Sequence, residues 1–169
     1  MRTKTLTRYL TIAALMAVTL LADTRRSLAA TATTTVAVSA TVSNTCTITA
    51  TALAFGAYTG AQLDGSTTFS PNCTTGAAWT VDADRGLNFT GASGSYQRRL
   101  VNGAAFLSYN LYTDTGRTTN FGTTTAAGAT IPGTGTGAAQ STTFYARIPA
   151  QTGTLTGTYS DTVTLTVTF

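Results

Sequence analysis

The chain has no histidine and no glutamate, and its one lysine is Lys4. Histidine is the usual general base and the commonest metal ligand near neutral pH, so its absence removes most nucleophile–base pairs. Two cysteines without histidine cannot close a tetrahedral zinc site. Threonine hydroxyls are plentiful, but no neighbouring base is placed to activate one. The residues therefore offer no active site, no metal site and no cofactor.

Charge is scarce as well, at 9% of residues, and it is unevenly placed. Arg2, Lys4, Arg8, Arg25 and Arg26 all fall in the first thirty residues. From Ala30 onward five arginines (85, 98, 99, 117, 147) balance five aspartates (64, 82, 84, 114, 161), and the net charge there is zero. A nucleic-acid binder needs a basic stripe to neutralise phosphates, and none is present. Long hydrophobic runs are missing too. Tyr9–Ala22 is apolar over fourteen residues, short of the ~20 that span a bilayer.

The basic start, the apolar run and the small residues at Ser27, Ala29 and Ala30 read as a secretory signal peptide over residues 1–29. Asp23, Arg25 and Arg26 are unusual after such a run, and cleavage after Ala22 is an alternative. About 140 residues remain, the length of one domain. In an exported chain an even pair of cysteines reads as a disulfide, here Cys46–Cys73.

What the chain does have is threonine, about a quarter of the residues after the leader, with abundant glycine. Threonine is β-branched and suits the wet face of a strand, and glycine marks turns. Period-two alternation recurs. Cys46–Thr51 places Cys46, Ile48 and Ala50 on one face. Leu53–Tyr58 follows, with Gly56 permitting a bend, and Thr67–Cys73 is a further short run. Ala78–Asp84 places Trp79, Val81 and Ala83 inward. Ala104–Thr113 does the same with Ala105, Leu107, Tyr109 and Leu111, and Ser141–Pro149 with Phe144, Ala146 and Ile148. Thr158–Phe169 alternates Tyr159, Val163, Leu165, Val167 and Phe169 against a face of hydroxyls. Gly122–Ala139 reads as a surface loop with a short strand near Ile131. The sum is an all-β antiparallel sandwich. A last alternating run, Thr34–Ser43, precedes the first cysteine, and reads as a strand without a sheet of its own.

In order along the chain stand Cys46-Thr47-Ile48, Leu53–Tyr58, Cys73, Gly86, Arg98-Arg99-Leu100, Leu107–Asp114, Phe121-Gly122, Tyr145–Gln151 and Gly157–Val163. This series resembles the spore coat protein U domain family, which includes pilin subunits of archaic chaperone–usher pili. Phe121 departs from it, standing where the family often has Trp. The resemblance implies an incomplete immunoglobulin-like sandwich whose final strand is missing. It implies an apolar groove filled first by a periplasmic chaperone and then, at an outer-membrane usher, by the amino-terminal strand of another subunit.

On that expectation residues 30–43 are a donor arm and residues 44–169 the sandwich. Val36, Val38, Ala40 and Val42 share one face of the arm. Ile48, Val163, Leu165, Val167 and Phe169 belong to the acceptor groove and its carboxy-terminal edge. The arm could equally be a first strand of its own sheet or a disordered tail.

Plainer readings stand beside other features. Asp82 and Asp84 share a strand face, but they flank a turn and read as solvated or arginine-paired rather than as a glycosidase pair. Asp161 reads as a polar contact at a strand start. Arg98 and Arg99 read as solvated or paired, and Trp79 as core. Asn88-Phe89-Thr90 is a short sequon of a kind that occurs by chance. Two alternatives remain to the pilus subunit: a self-completed coat-layer protein, and a carbohydrate module using Tyr96, Tyr112 or Tyr145.

Overall fold

The computed structural model describes residues 29–92, 94–123 and 128–169. Except for Ala29, the expected leader lies outside them. The chain divides into two units, Met1–Ala40 and Thr41–Phe169. In the first, residues 29–40 have neither helix nor strand and are exposed.

Among its described residues the second unit carries eleven strands. They are β1 (Cys46–Ala50), β2 (Leu63–Cys73), β3 (Ala78–Ala83), β4 (Thr90–Ala92), β5 (Ser95–Asn102) and β6 (Ala105–Tyr112). Then follow β7 (Asn120–Phe121), β8 (Gly128–Ala129), β9 (Ile131–Thr134), β10 (Thr142–Ile148) and β11 (Leu165–Thr168). The larger sheet runs β1-β2-β10-β6-β5-β4, with β7 and β8 attached beside β6. The smaller sheet runs β11-β3-β9. Every strand pairing is antiparallel except β7 with β8. Among the described residues there is no helix.

Alternation decides what is buried. Trp79, Val81 and Ala83 of β3 form one inner face, while Leu107, Tyr109 and Leu111 of β6 and Phe144, Ala146 and Ile148 of β10 form the other. Phe69 and Phe121, both fully buried, fill the middle with Phe144 at ring separations of 5.6 to 6.3 Å. Two sheets with interdigitated inner faces make a sandwich core.

Cys46 lies directly across from Cys73 in the β1–β2 pairing, Cα atoms 4.1 Å apart, and the two form the disulfide. The bond closes a span of 27 residues and staples the first residue of β1 to a buried residue of β2. In the chain-entropy account a loop of that size stabilises by about 3.5 kcal/mol. Replacing both cysteines by serine is expected to lower the melting temperature by about 10 °C, read by circular dichroism with and without reductant.

One expectation is met in part and two are corrected. The short strand expected near Ile131 within Gly122–Ala139 is present, as β8 and β9, so the stretch is not one loop; its residues 124–127 lie outside the described residues. Ile131–Thr134 pairs with β3, and Gly133 lies flat on Trp79 where any Cβ would overlap the indole. The glycine that reads as loop is the residue that lets the strand approach the ring. The last strand is shorter than its alternation, with regular pairing only over Leu165–Thr168. Upstream of it the chain is held instead by a bridge from Ser160 to Val101 and by the Asp161 side chain. Arg98 is neither solvated nor carboxylate-paired. At 3% exposure it sits at an inward position of β5 and donates to the main-chain carbonyls of Ala83, Asp84 and Phe121. Its burial holds its pKa below the usual guanidinium value.

Candidate functional site: an open groove between two sheet edges

β1 ends the larger sheet and β11 ends the smaller one. These two strands come close to each other, and beyond that approach, between the chain that follows β1 and the chain that precedes β11, lies an apolar groove made of two cavities. The first has a volume of about 670 Å³ and is lined by Leu53–Tyr58, Leu100, Leu107, Ile148 and Thr154–Tyr159. The second, about 440 Å³, is lined by Ala50–Leu53, Phe55, Tyr109, Leu111, Phe144, Val163 and Leu165 among others. Leu53, Phe55 and Leu100 belong to both, so the cavities are continuous.

The walls are open-edged strands. Asp84 N–H donates to the Thr164 carbonyl at 3.0 Å, and the register pairs Leu165 with Ala83. By antiparallel alternation Thr164, Thr166 and Thr168 bond to β3, whereas the N–H and C=O groups of Val163, Leu165 and Val167 point away from it. The opposite wall repeats this. Thr74 N–H donates to Thr45 and Thr51 N–H to Thr68, so Thr47 and Thr49 face β2 and the backbones of Cys46, Ile48 and Ala50 face outward. Farther along, residues 53–57 make no hydrogen bond among the described residues, and Gly56 turns the chain at φ 81°. Each wall thus offers a row of unpaired backbone donors and acceptors beside apolar side chains. An exposed edge of that kind is a template for another strand.

The far end of the wall is latched. Tyr58 Oη donates to the carbonyls of Pro149 and Gly60 at 2.8 and 3.1 Å and accepts from Gln151 N–H at 2.7 Å. The Gln151 amide pairs with both backbone groups of Ser108, each at 2.9 Å, as a neighbouring strand would.

Among the described residues Asp161 is the one charged residue lining either cavity, and its oxygens are occupied. Oδ1 accepts from the N–H groups of Leu87 and Asn88 and from Asn88 Nδ2, each at 3.1 Å, while Oδ2 accepts from Tyr109 Oη at 2.7 Å. Gly86 leaves room for that carboxylate, which a Cβ would overlap. Burial, and then the bond to Asp161, push the Tyr109 hydroxyl far above its ordinary pKa. A proton held more tightly in the folded state stabilises fully below the unfolded value of about 10 and less as pH rises beyond it. Urea midpoints are therefore expected to fall between pH 9 and 11, and Tyr109→Phe to flatten that slope.

The named residues fall as follows. Val163 and Leu165 line the groove. Ile48 and Val167 are half-buried against the core at its two walls, and Phe169 is 53% exposed. Val36, Val38 and Val42 are 80, 92 and 82% exposed, and Ala40 is exposed as well. Leu53, Phe55, Tyr58, Leu100 and Leu107 are groove residues that the sequence reading did not assign; the Leu53/Phe55 alternation was the available signal. Asp82 accepts from Thr123 and Asp84 from Gly86 and Thr164, so both carboxylates tie loops rather than face a substrate. Tyr96 is buried, and only Tyr112 and Tyr145 meet on an outer face, directly paired between β6 and β10. The three tyrosines do not form one platform.

An all-β sandwich of antiparallel sheets with an unfilled groove between two edges is the fold class of the chain. Residues 32–166 match the Spore Coat Protein U domain, and the chain belongs to that family. Among solved structures it is similar to a chain in the crystal structure of the CsuC–CsuE chaperone–tip adhesion subunit pre-assembly complex from archaic chaperone–usher Csu pili of Acinetobacter baumannii. The identity is 25% and the TM-score 0.56, over 76% of this chain. The match spans 40% of that longer chain. No curated protein matches.

Proposed function

We infer that the chain is a structural subunit of an archaic chaperone–usher surface pilus. It polymerises by donor-strand complementation and supports adhesion and biofilm formation. The observation that carries this reading is the groove: a mainly apolar floor and open backbone on both walls. Strand addition to such an edge is an established mode of peptide recognition.

Residues 30–43 are the donor arm, following a leader over residues 1–29 that directs export through the Sec pathway. Residues 44–169 are the acceptor domain. From Val36 to Val42 the arm spans six residue steps, about 20 Å in a strand. The wall from Tyr159 to Leu165 spans the same number. Run antiparallel to it, the arm sets Val36 across from Leu165, Val38 from Val163, Ala40 from Asp161 and Val42 from Tyr159. The small side chain then falls where the Asp161–Tyr109 pair occupies the floor. Because donor and acceptor lie at different places on one subunit, the assembly is head-to-tail and open, a filament rather than a ring.

The partners are a periplasmic chaperone that first occupies the groove, an outer-membrane usher, and further subunits. The route is through the periplasm to the cell surface. The test compares surface material on an unboiled denaturing gel with the same material boiled. A multimer ladder that collapses on boiling, and is lost when residues 30–43 are deleted, supports the reading. A lone monomer band from chain confirmed to be exported with its partners contradicts it. That outcome favours a self-completed coat protein.

A further inference from the structure

Apart from the two-residue β8 beside β7, the two sheets have four outer edges among the described residues, and they are not alike. The edges flanking the groove, β1 and β11, keep an N–H at every outward position: Cys46, Ile48 and Ala50 on one, Val163, Leu165 and Val167 on the other. The far edge of the larger sheet is β4, three residues with Gly91 at its centre. The far edge of the smaller sheet is β9, whose sequence is Ile131-Pro132-Gly133-Thr134.

Register fixes which way β9 faces. Gly135 N–H donates to the Ala77 carbonyl at 2.7 Å, and Ala78 stands across from Thr134. Alternation then turns the backbones of Ile131 and Gly133 toward β3 and those of Pro132 and Thr134 outward. Pro132 is exposed and lies across from Thr80, so its ring costs the sheet no ladder bond. It removes one donor from the outer edge and sets a pyrrolidine ring where a neighbouring strand would pair. Proline within sheets is confined to such positions, and it blunts them.

We propose that Pro132 closes the β9 edge to a strand from a second copy of this chain, leaving the β1–β11 groove as the port for strand addition. The consequence for the filament rests on the function proposed above: growth is kept linear and side-by-side pairing of filaments is suppressed. The closure itself is a property of the folded domain. A chain that exports a strand-like arm with three exposed valines and concentrates its subunits in a fibre has particular need of it.

The test is Pro132→Thr in the full-length exported chain. Isolated subunits are examined by sedimentation velocity and surface filaments by electron microscopy. Threonine restores the outward N–H and suits an edge strand. The expected result is at least tenfold tighter self-association of subunits and filaments that run in pairs or bundles. Adding Thr134→Pro to that variant puts an imino residue back on the same outward row, and should return subunits and filaments to wild-type behaviour. Pro132→Val gives the same gain if the threonine variant accumulates poorly. Unchanged sedimentation and single filaments in both Pro132 variants overturn the proposal. The two inferences fail separately. If wild type forms no polymer yet Pro132→Thr dimerises, edge closure stands and the pilus reading falls. If wild type and variant form the same single filaments, the reverse holds.

Discussion

Changing Val36, Val38 and Val42 together to serine is expected to abolish heat-sensitive multimers while leaving the acceptor domain folded. These side chains are exposed in the single chain, so their loss removes no packing from it. Buried in a groove, each valine stabilises by roughly 1.5–3 kcal/mol. Losing three costs the assembled state about 5 kcal/mol or more, which corresponds to at least a thousandfold weaker association. Melting of the isolated chain should shift by less than about 2 °C, since surface substitutions rarely exceed ~0.5 kcal/mol. The same contrast separates a donor arm from an ordinary first strand. If the arm belonged to its own sheet, the triple variant would destabilise the monomer.

The second large effect concerns the other wall. Val163→Pro removes an N–H that points into the groove and is not used by β3. The folded subunit keeps its Asp84–Thr164 bonds and its β3–β11 ladder. An incoming strand instead meets a missing donor, and its own carbonyl is left buried without a partner. An orphaned buried polar group costs about 1–3 kcal/mol beyond the bond itself. Together with the lost valine packing, association should weaken by about a hundredfold. Thr164→Pro, one residue on, is the contrasting variant. Its N–H donates to Asp84 Oδ1 at 2.9 Å, so that change should lower the stability of the monomer itself. Thermal melts of both variants beside their multimer ladders give the comparison. Equal damage to the monomer from the two would show that the outward edge has no special role.

Much of this was legible in the sequence, and the reasons differ by element. The faces of β3, β6 and β10 could be read because each strand has one dry side, and a period of two admits one assignment of Trp79, Leu107 or Phe144. β9 was legible only as a short strand near Ile131, not in its extent or its pairing. Its Gly133 serves the approach to Trp79 and its Pro132 an outer edge, so neither carries a hydrophobic signal. Arg98 misled because charge normally means surface. The carbonyls that hold it belong to residues far along the chain, where no pattern announces them. The final strand looked longer than it is because alternation continues through Val163, while pairing depends on Asp161 and Ser160 contacts that span the fold.

The groove was half legible. Val163 and Leu165 follow from the alternation of the last strand. Leu53 and Phe55 alternate as well, yet their role depends on the chain leaving β2 after Thr51 and running without a backbone partner to the Tyr58 latch. Such a gap is an absence of pairing, and a sequence records no absence. The arm shows the converse. Its valines alternate as a strand would, yet residues 29–40 form no strand, and the proposal assigns their sheet to a second molecule.

The central claim is that residues 36–42 of one subunit complete the sandwich of the next. The most direct test is an electron cryomicroscopy reconstruction of filaments formed by the native chain, at a resolution that traces the main chain. The account predicts continuous density for a neighbour's arm between residues 50–58 and residues 159–165, antiparallel to the latter, with Val38 across from Val163 and Ala40 across from Asp161. Density showing the groove filled by the subunit's own arm, or subunits joined through any other surface, would contradict it.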